Sequence, residues 1–179
     1  MSNLFIGMLL LFLNFNLNIG NISIGLIPDF LGYIFIVKGV VELSNESQLF
    51  VKVKPYASGM IYYSGALYIF NLLGLGASLG FIWYILQLIS VLMCLYITYF
   101  CVKGIKDMEE LNGYDLHGET LYKSWIFLAV LSIISSSIAF LVGFGAIIII
   151  IVNFIAIIMY LVNFNQTKKL YLDITNNRV

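Results

Sequence analysis

This sequence has little charge, and what it has is bunched. Asp, Glu, Lys and Arg make up 10% of the 179 residues, against 61% hydrophobic ones. Nine basic and nine acidic side chains cancel, so there is no basic field to hold nucleic acid. His117 is the single histidine, and Cys94 and Cys101 are the two cysteines. There is no Ser-His-Asp set, HExxH, CxxC or phosphate-binding glycine loop. The longest polar stretch, residues 103–123, leaves no room for a soluble domain. These absences lead to the expectation of a protein that is not an enzyme, with no catalytic residues, no cofactor and no metal.

What the chain does have is apolar length. The runs 56–75, 79–101, 125–143 and 144–163 each approach the roughly 20 apolar residues that cross about 30 Å of hydrocarbon. With the shorter stretches nearer the N-terminus, the membrane segments fall at 3–14, 28–43, 56–75, 79–101, 124–143 and 144–164. The expected fold is an all-α polytopic membrane protein. It forms one integral membrane domain over 1–179, a helical bundle with a short N-terminal β-hairpin or re-entrant element. Its first partner is the lipid bilayer. No early Lys or Arg precedes the first apolar stretch and no small-residue cleavage site follows it, so a cleaved signal peptide is not expected.

The basic residues orient the bundle. Lys38, Lys52, Lys54, Lys103, Lys106, Lys123, Lys168, Lys169 and Arg178 all fall on one side of these segments. The opposite turns, 74–80 and 143–145, carry no charge. Short loops rich in Lys and Arg stay in the cytoplasm. Both termini and the loops 44–55 and 104–122 are therefore expected there. Trp83 and Tyr84 are placed at the outer headgroup level, and Tyr99, Trp125 and Tyr160 toward the inner one.

Residues 15–26 break the helical pattern. Apolar side chains alternate at Phe15, Leu17 and Ile19, then at Ile22, Ile24 and Leu26, around Gly20-Asn21. That is the signal of a two-residue type II′ hairpin, with Ile19 opposite Ile22, Leu17 opposite Ile24 and Phe15 opposite Leu26. A helix is the rival reading, since Asn14, Asn18 and Asn21 would form a polar stripe. Pro28 and Asp29 then open a helix. Proline suits the first turn, and a carboxylate there meets the positive end of the dipole. This helix is expected to end near Leu43 with Lys38 and Glu42 paired at i,i+4. Asp29 is then the one charged side chain away from the cytoplasmic half. Residues 44–55 read as a linker in which Phe50, Val51 and Val53 alternate with Lys52 and Lys54 along the membrane surface.

The segment Ile27-Pro28-Asp29-Phe30-Leu31-Gly32-Tyr33 resembles one found in a group of small multi-pass membrane proteins of low-GC Gram-positive bacteria. In that group a Leu-Pro-Asp-Phe-Ile-Gly-Tyr-like stretch follows an extended, turn-containing one. The likeness extends to Lys103-Gly104-Ile105 and the acidic loop after it. Leu31 stands where the group has Ile, and the stretch before Pro28 lacks the group's charged residues. The group has no assigned activity. The resemblance therefore implies a bacterial cytoplasmic membrane protein and no chemistry.

Polar residues inside membrane segments usually face the bundle interior. Asp29, Tyr33, Asn71, Gln87 and Asn153, with Ser90, lie at similar outer or middle depths and are the candidate binding residues of a cavity open to the outside. Interhelical hydrogen bonds of roughly 0.6 kcal/mol each would use the same residues without a ligand. Ser132, Ser136, Ala139 and Gly143, and the pair Gly76 and Gly80, read as small-residue packing. Cys94 and Cys101 read as packing residues two turns apart, too distant for a disulfide. Asp115, His117 and Glu119 read as solvated loop residues rather than metal ligands. An intramembrane aspartyl site would need a second carboxylate at that depth, and the sequence has none. Two functions stay open. One is an accessory or interaction subunit that works with a membrane-protein partner or as a homo-oligomer. The other is a small oligomeric channel or transporter with Asp29 at its outer mouth.

Overall fold

The computed structural model describes residues 1–13, 16–19, 22–25, 28–138 and 144–177, and its architecture is a helical bundle. Helix α1 (Ser2–Phe12) leads to strands β1 (Asn16–Ile19) and β2 (Ile22–Gly25). The strands pair antiparallel, with Leu17 opposite Ile24 and Ile19 opposite Ile22. The expected Gly20-Asn21 turn and Phe15–Leu26 pair lie outside the described residues. Then follow α2 (Asp29–Glu42), α3 (Gln48–Leu72), the short α4 (Leu75–Leu79), α5 (Phe81–Asn112), α6 (Gly118–Ile138) and α7 (Phe144–Asn176).

The long helices close a ring. α1 packs on α2, α2 on α3, α3 on α5, α5 on α6 and α6 on α7, and α7 returns to α1. Aromatic contacts make the closure: Phe5 meets Phe164 at 6.0 Å between ring centroids, and Phe12 meets Tyr160 at 5.5 Å. One half of the ring is filled. Leu4, Met8, Ile36, Ile97, Cys101 and Tyr160 are among its fully buried side chains.

The chain ends and loops gather at that filled end. The N-terminal amine lies 3.4 Å from Glu42 Oε2. Ser47 Oγ donates to Asp107 Oδ2 at 2.5 Å. Glu109 Oε1 accepts the backbone N–H of Leu116 at 2.7 Å, and the Leu116 carbonyl accepts from Thr167 Oγ1 at 2.9 Å. Lys168 stands 4.3 Å over the Phe5 ring. Helix α5 stops where Gly113 takes a left-handed φ of 67°, a conformation glycine adopts without steric cost.

Several expectations are corrected. Residues 48–55 are not a linker but the first turns of α3, which Ser47 caps by accepting the Leu49 N–H at 3.1 Å. Phe50 and Val53 are buried while Val51, Lys52 and Lys54 are exposed. Their short alternation imitates a strand, yet Phe50, Val53, Ala57 and Met60 continue it at helical spacing. Pro55 lies inside this helix, where it removes one backbone hydrogen bond. Glu42 does not pair with Lys38. It takes the N-terminus and Asn3 instead, and Lys38 lies 5.5 Å over the Phe35 ring. Tyr160 does not face the surface as an interfacial ring would but is wholly buried between Phe12 and Phe164. Gly76 packs against the Trp83 ring and Gly80 sits in a turn at φ 50°, so the two do not form a helix–helix contact.

Among the described residues, one helix is long and apolar enough to cross a membrane, α5 (Phe81–Asn112). Only 28% of its most apolar window is buried inside the bundle. A core helix of a water-soluble protein is mostly covered.

Candidate functional site

The half of the ring away from the filled end holds a cavity of about 410 Å³. Local geometry explains how each helix reaches it. Pro28, with extended backbone at φ −66° and ψ 135°, ends the incoming chain and leaves Asp29 as the first residue of α2. Tyr33 follows one turn later on the same face. On α5, Gln87, Ser90, Val91 and Cys94 recur at the three- and four-residue steps of one helical face. On α6, Ser132, Ser135 and Ser136 do the same, and on α7 Asn153 and Ile157. Leu11 and Phe12 of α1 complete the wall.

Four of the five candidate binding residues therefore line one cavity: Asp29, Tyr33, Gln87 and Asn153. Gln87 is exposed, Asp29 and Asn153 are half-buried and Tyr33 is buried, so the cavity opens to the surface and narrows inward. Asn71 is elsewhere, in the last turn of α3, where its carbonyl accepts the Gly74 N–H at 3.0 Å. Asp29 does not serve as the N-cap of its helix. Pro28 holds that position.

The polar lining is organised across helices. Ser132 Oγ donates to Asn153 Oδ1 at 3.3 Å, tying α6 to α7. Tyr33 and Cys94 both line this part of the cavity. Tyr84 donates to the Ser136 carbonyl at 3.1 Å. Among the described residues, Ser135 Oγ is buried without a hydrogen-bond partner. No lysine, arginine or histidine is among the residues that line the cavity. The stretches 1–37, 55–102 and 124–167 hold a single charged side chain, Asp29.

The cavity does not have the ligands of a metal site, and no cluster of His, Cys, Asp and Glu able to hold one occurs among the described residues. The loop trio is split. His117 Nδ1 lies 3.3 Å from Asp115 Oδ1, while Glu119 turns to Lys106 at 2.6 Å and Lys123 at 3.7 Å. The hydrogen bond from Lys106 holds the Glu119 carboxyl below the usual carboxylate range, and the same bond pushes the Lys106 ammonium up.

No known protein family, no curated protein and no solved structure matches this chain. The site therefore rests on its own geometry.

Sequence reasoning passed over Cys94 and the α6 serines as packing residues. The signal was present in the spacing. Ser132, Ser135 and Ser136 put three hydroxyls on one side of an apolar helix, and Gln87, Ser90 and Cys94 repeat that pattern on α5.

Proposed function

We propose that this chain is a polytopic protein of a bacterial cytoplasmic membrane that binds a small polar solute in a cavity open to the outer face. It does so without catalysing a reaction, as a carrier or solute-binding subunit. The observation that carries the reading is the convergence of Asp29, Tyr33, Gln87 and Asn153 on one cavity inside the helical ring. Polar groups at membrane depth are costly, and where they gather around a cavity they mark a solute path.

The distribution of surface supports the membrane setting. Ile69, Phe81, Ile82, Leu92, Phe154 and Ile155 are exposed on the outside of the ring, whereas Ser64, Ser90, Thr98, Ser124 and Thr167 are buried. Large exposed apolar patches are rare on monomeric soluble proteins. The nine lysines and arginines fall at the ends of the apolar stretches or between them, on one side of the expected segments, which the positive-inside rule assigns to the cytoplasm. Helices α1 and α2, 11 and 14 residues long, are shorter than a full crossing. In this reading β1 and β2 complete the distance between them at the outer side.

Single cysteines at Ser132 and Ser136, in a Cys94→Ala, Cys101→Ala background, test the reading. A small membrane-impermeant thiol reagent added to whole cells should modify both. A cysteine at the buried Ala156 should stay unmodified. No reaction at either serine position would contradict an outward-open cavity.

A further inference from the structure

We infer that the solute is a small organic cation, held through an ammonium group by Asp29 and the hydroxyl and amide groups around it. This rests on the reading of an outward-open cavity and adds the chemical class of its occupant.

The lining decides the sign of the charge. It offers one carboxylate, Asp29, and no basic side chain among the described residues. An anion would meet like charge in a cavity that narrows into the bundle, where screening is weaker than in bulk water. The same half-buried carboxylate attracts a cation. An ammonium group supplies three donors and no acceptor. Around Asp29 the cavity presents the oxygens of Tyr33, Gln87 and Ser135, and the buried Ser135 Oγ lacks a partner among the described residues. An apolar occupant would leave the buried Ser135 Oγ unsatisfied, which costs more than its bond would gain.

Size decides against a bare ion. A volume of about 410 Å³ falls within the roughly 300–1,000 Å³ of small-molecule sites. A metal ion needs several hard ligands converging at contact distance, and the lining contributes one carboxylate beside neutral hydroxyl and amide oxygens spread over four helices. The side chains of Phe12 and Tyr33 also line the space.

The test uses the whole chain in oriented membrane vesicles, in the Cys94→Ala, Cys101→Ala background, with a cysteine at Ser132, and a second form with one at Ser136. Each is treated with two impermeant methanethiosulfonates of similar size, one bearing trimethylammonium and one bearing sulfonate. Rates are divided by those of a free thiol in solution. With Asp29 present, the cationic reagent should be favoured about tenfold, and Asp29→Asn should remove the preference. Methylammonium chloride should slow the reaction, and equimolar sodium chloride should not. Equal corrected rates for the two reagents, or equal protection by sodium, would overturn the inference while leaving the cavity in place. Failure of both reagents at both positions would overturn the cavity itself. The comparison of reagents within the Asp29 protein does not depend on any substitution at Asp29.

Discussion

Gly39 of α2 faces Leu4 of α1 so closely that a methyl group at Gly39 would lie 2.5 Å from the Leu4 backbone nitrogen. The opposing atom is main chain and cannot rotate away. Gly39→Ala should therefore lower stability by about 1–3 kcal/mol, seen as an earlier melt in detergent. Gly59→Ala and Gly65→Ala, where an added methyl meets nothing within 4 Å, should melt with wild type or later. Alanine is the better helix former by up to about 1 kcal/mol. The opposite order would contradict the tight α1–α2 contact.

Glu109 holds the loop between α5 and α6. Its carboxylate accepts the N–H of Leu116 at 2.7 Å and of Gly118 at 3.2 Å, doing from a neighbouring helix what a capping residue does locally. Glu109→Ala should cost about 0.5–2 kcal/mol. Glu109→Gln, which keeps an acceptor oxygen, should lose much less. Chemical denaturation of both variants checks the difference, and equal losses would assign the effect to charge rather than to the backbone bonds.

The Lys106–Glu119 contact gives a pH dependence of known sign. The Glu119 carboxyl is held below its ordinary range in the folded protein. Its contribution is present above the unfolded glutamate value and is lost as pH falls through the lower, folded value. Both groups reach solvent, so the contribution is small and screened by salt. Melting midpoints of wild type and Glu119→Gln should differ slightly near neutrality at low salt. They should converge at high salt and at acid pH below the carboxylate range. A difference that persists in high salt would contradict an exposed ion pair.

Asp29→Asn should melt at or above wild type. Pro28, not Asp29, is the N-cap residue of α2, and replacing a half-buried charge with a neutral isostere removes its desolvation cost. A loss near the 1 kcal/mol scale of a cap would show instead that the carboxylate is structural.

How far the sequence could be read depends on which dimension is asked about. Depth along the bundle was legible, because a charged or amide side chain in an apolar run marks its own level. Asp29, Tyr33, Gln87 and Asn153 were found that way. Position around the ring was not, since it depends on which helices become neighbours. Asn71 has the same polarity and a similar depth, yet its helix, α3, contributes nothing to the cavity lining. Ser132 and Ser136 are small enough to pass for packing residues, and only their position opposite Asn153 gives them to the cavity. Tyr160 looked like an interfacial ring because aromatic amphiphiles occur both at headgroups and in cores. Its burial comes from Phe12, far away in the chain. At 50–54 the alternation of Phe50, Val51 and Val53 with two lysines is too short to separate a strand from the start of a helix.

The most direct test of the account is topology, because the outer position of Asp29 and its cavity follows from it. Single cysteines at Asn45, Ser78 and Asn176, all exposed positions, are placed one at a time in the Cys94→Ala, Cys101→Ala background and treated on intact cells with an impermeant maleimide. The account predicts reaction at Ser78→Cys alone, with Asn45→Cys and Asn176→Cys reacting only after the membrane is opened. Labelling of Asn45→Cys or Asn176→Cys in intact cells, with Ser78→Cys protected, would turn the cavity to the cytoplasm and contradict the account.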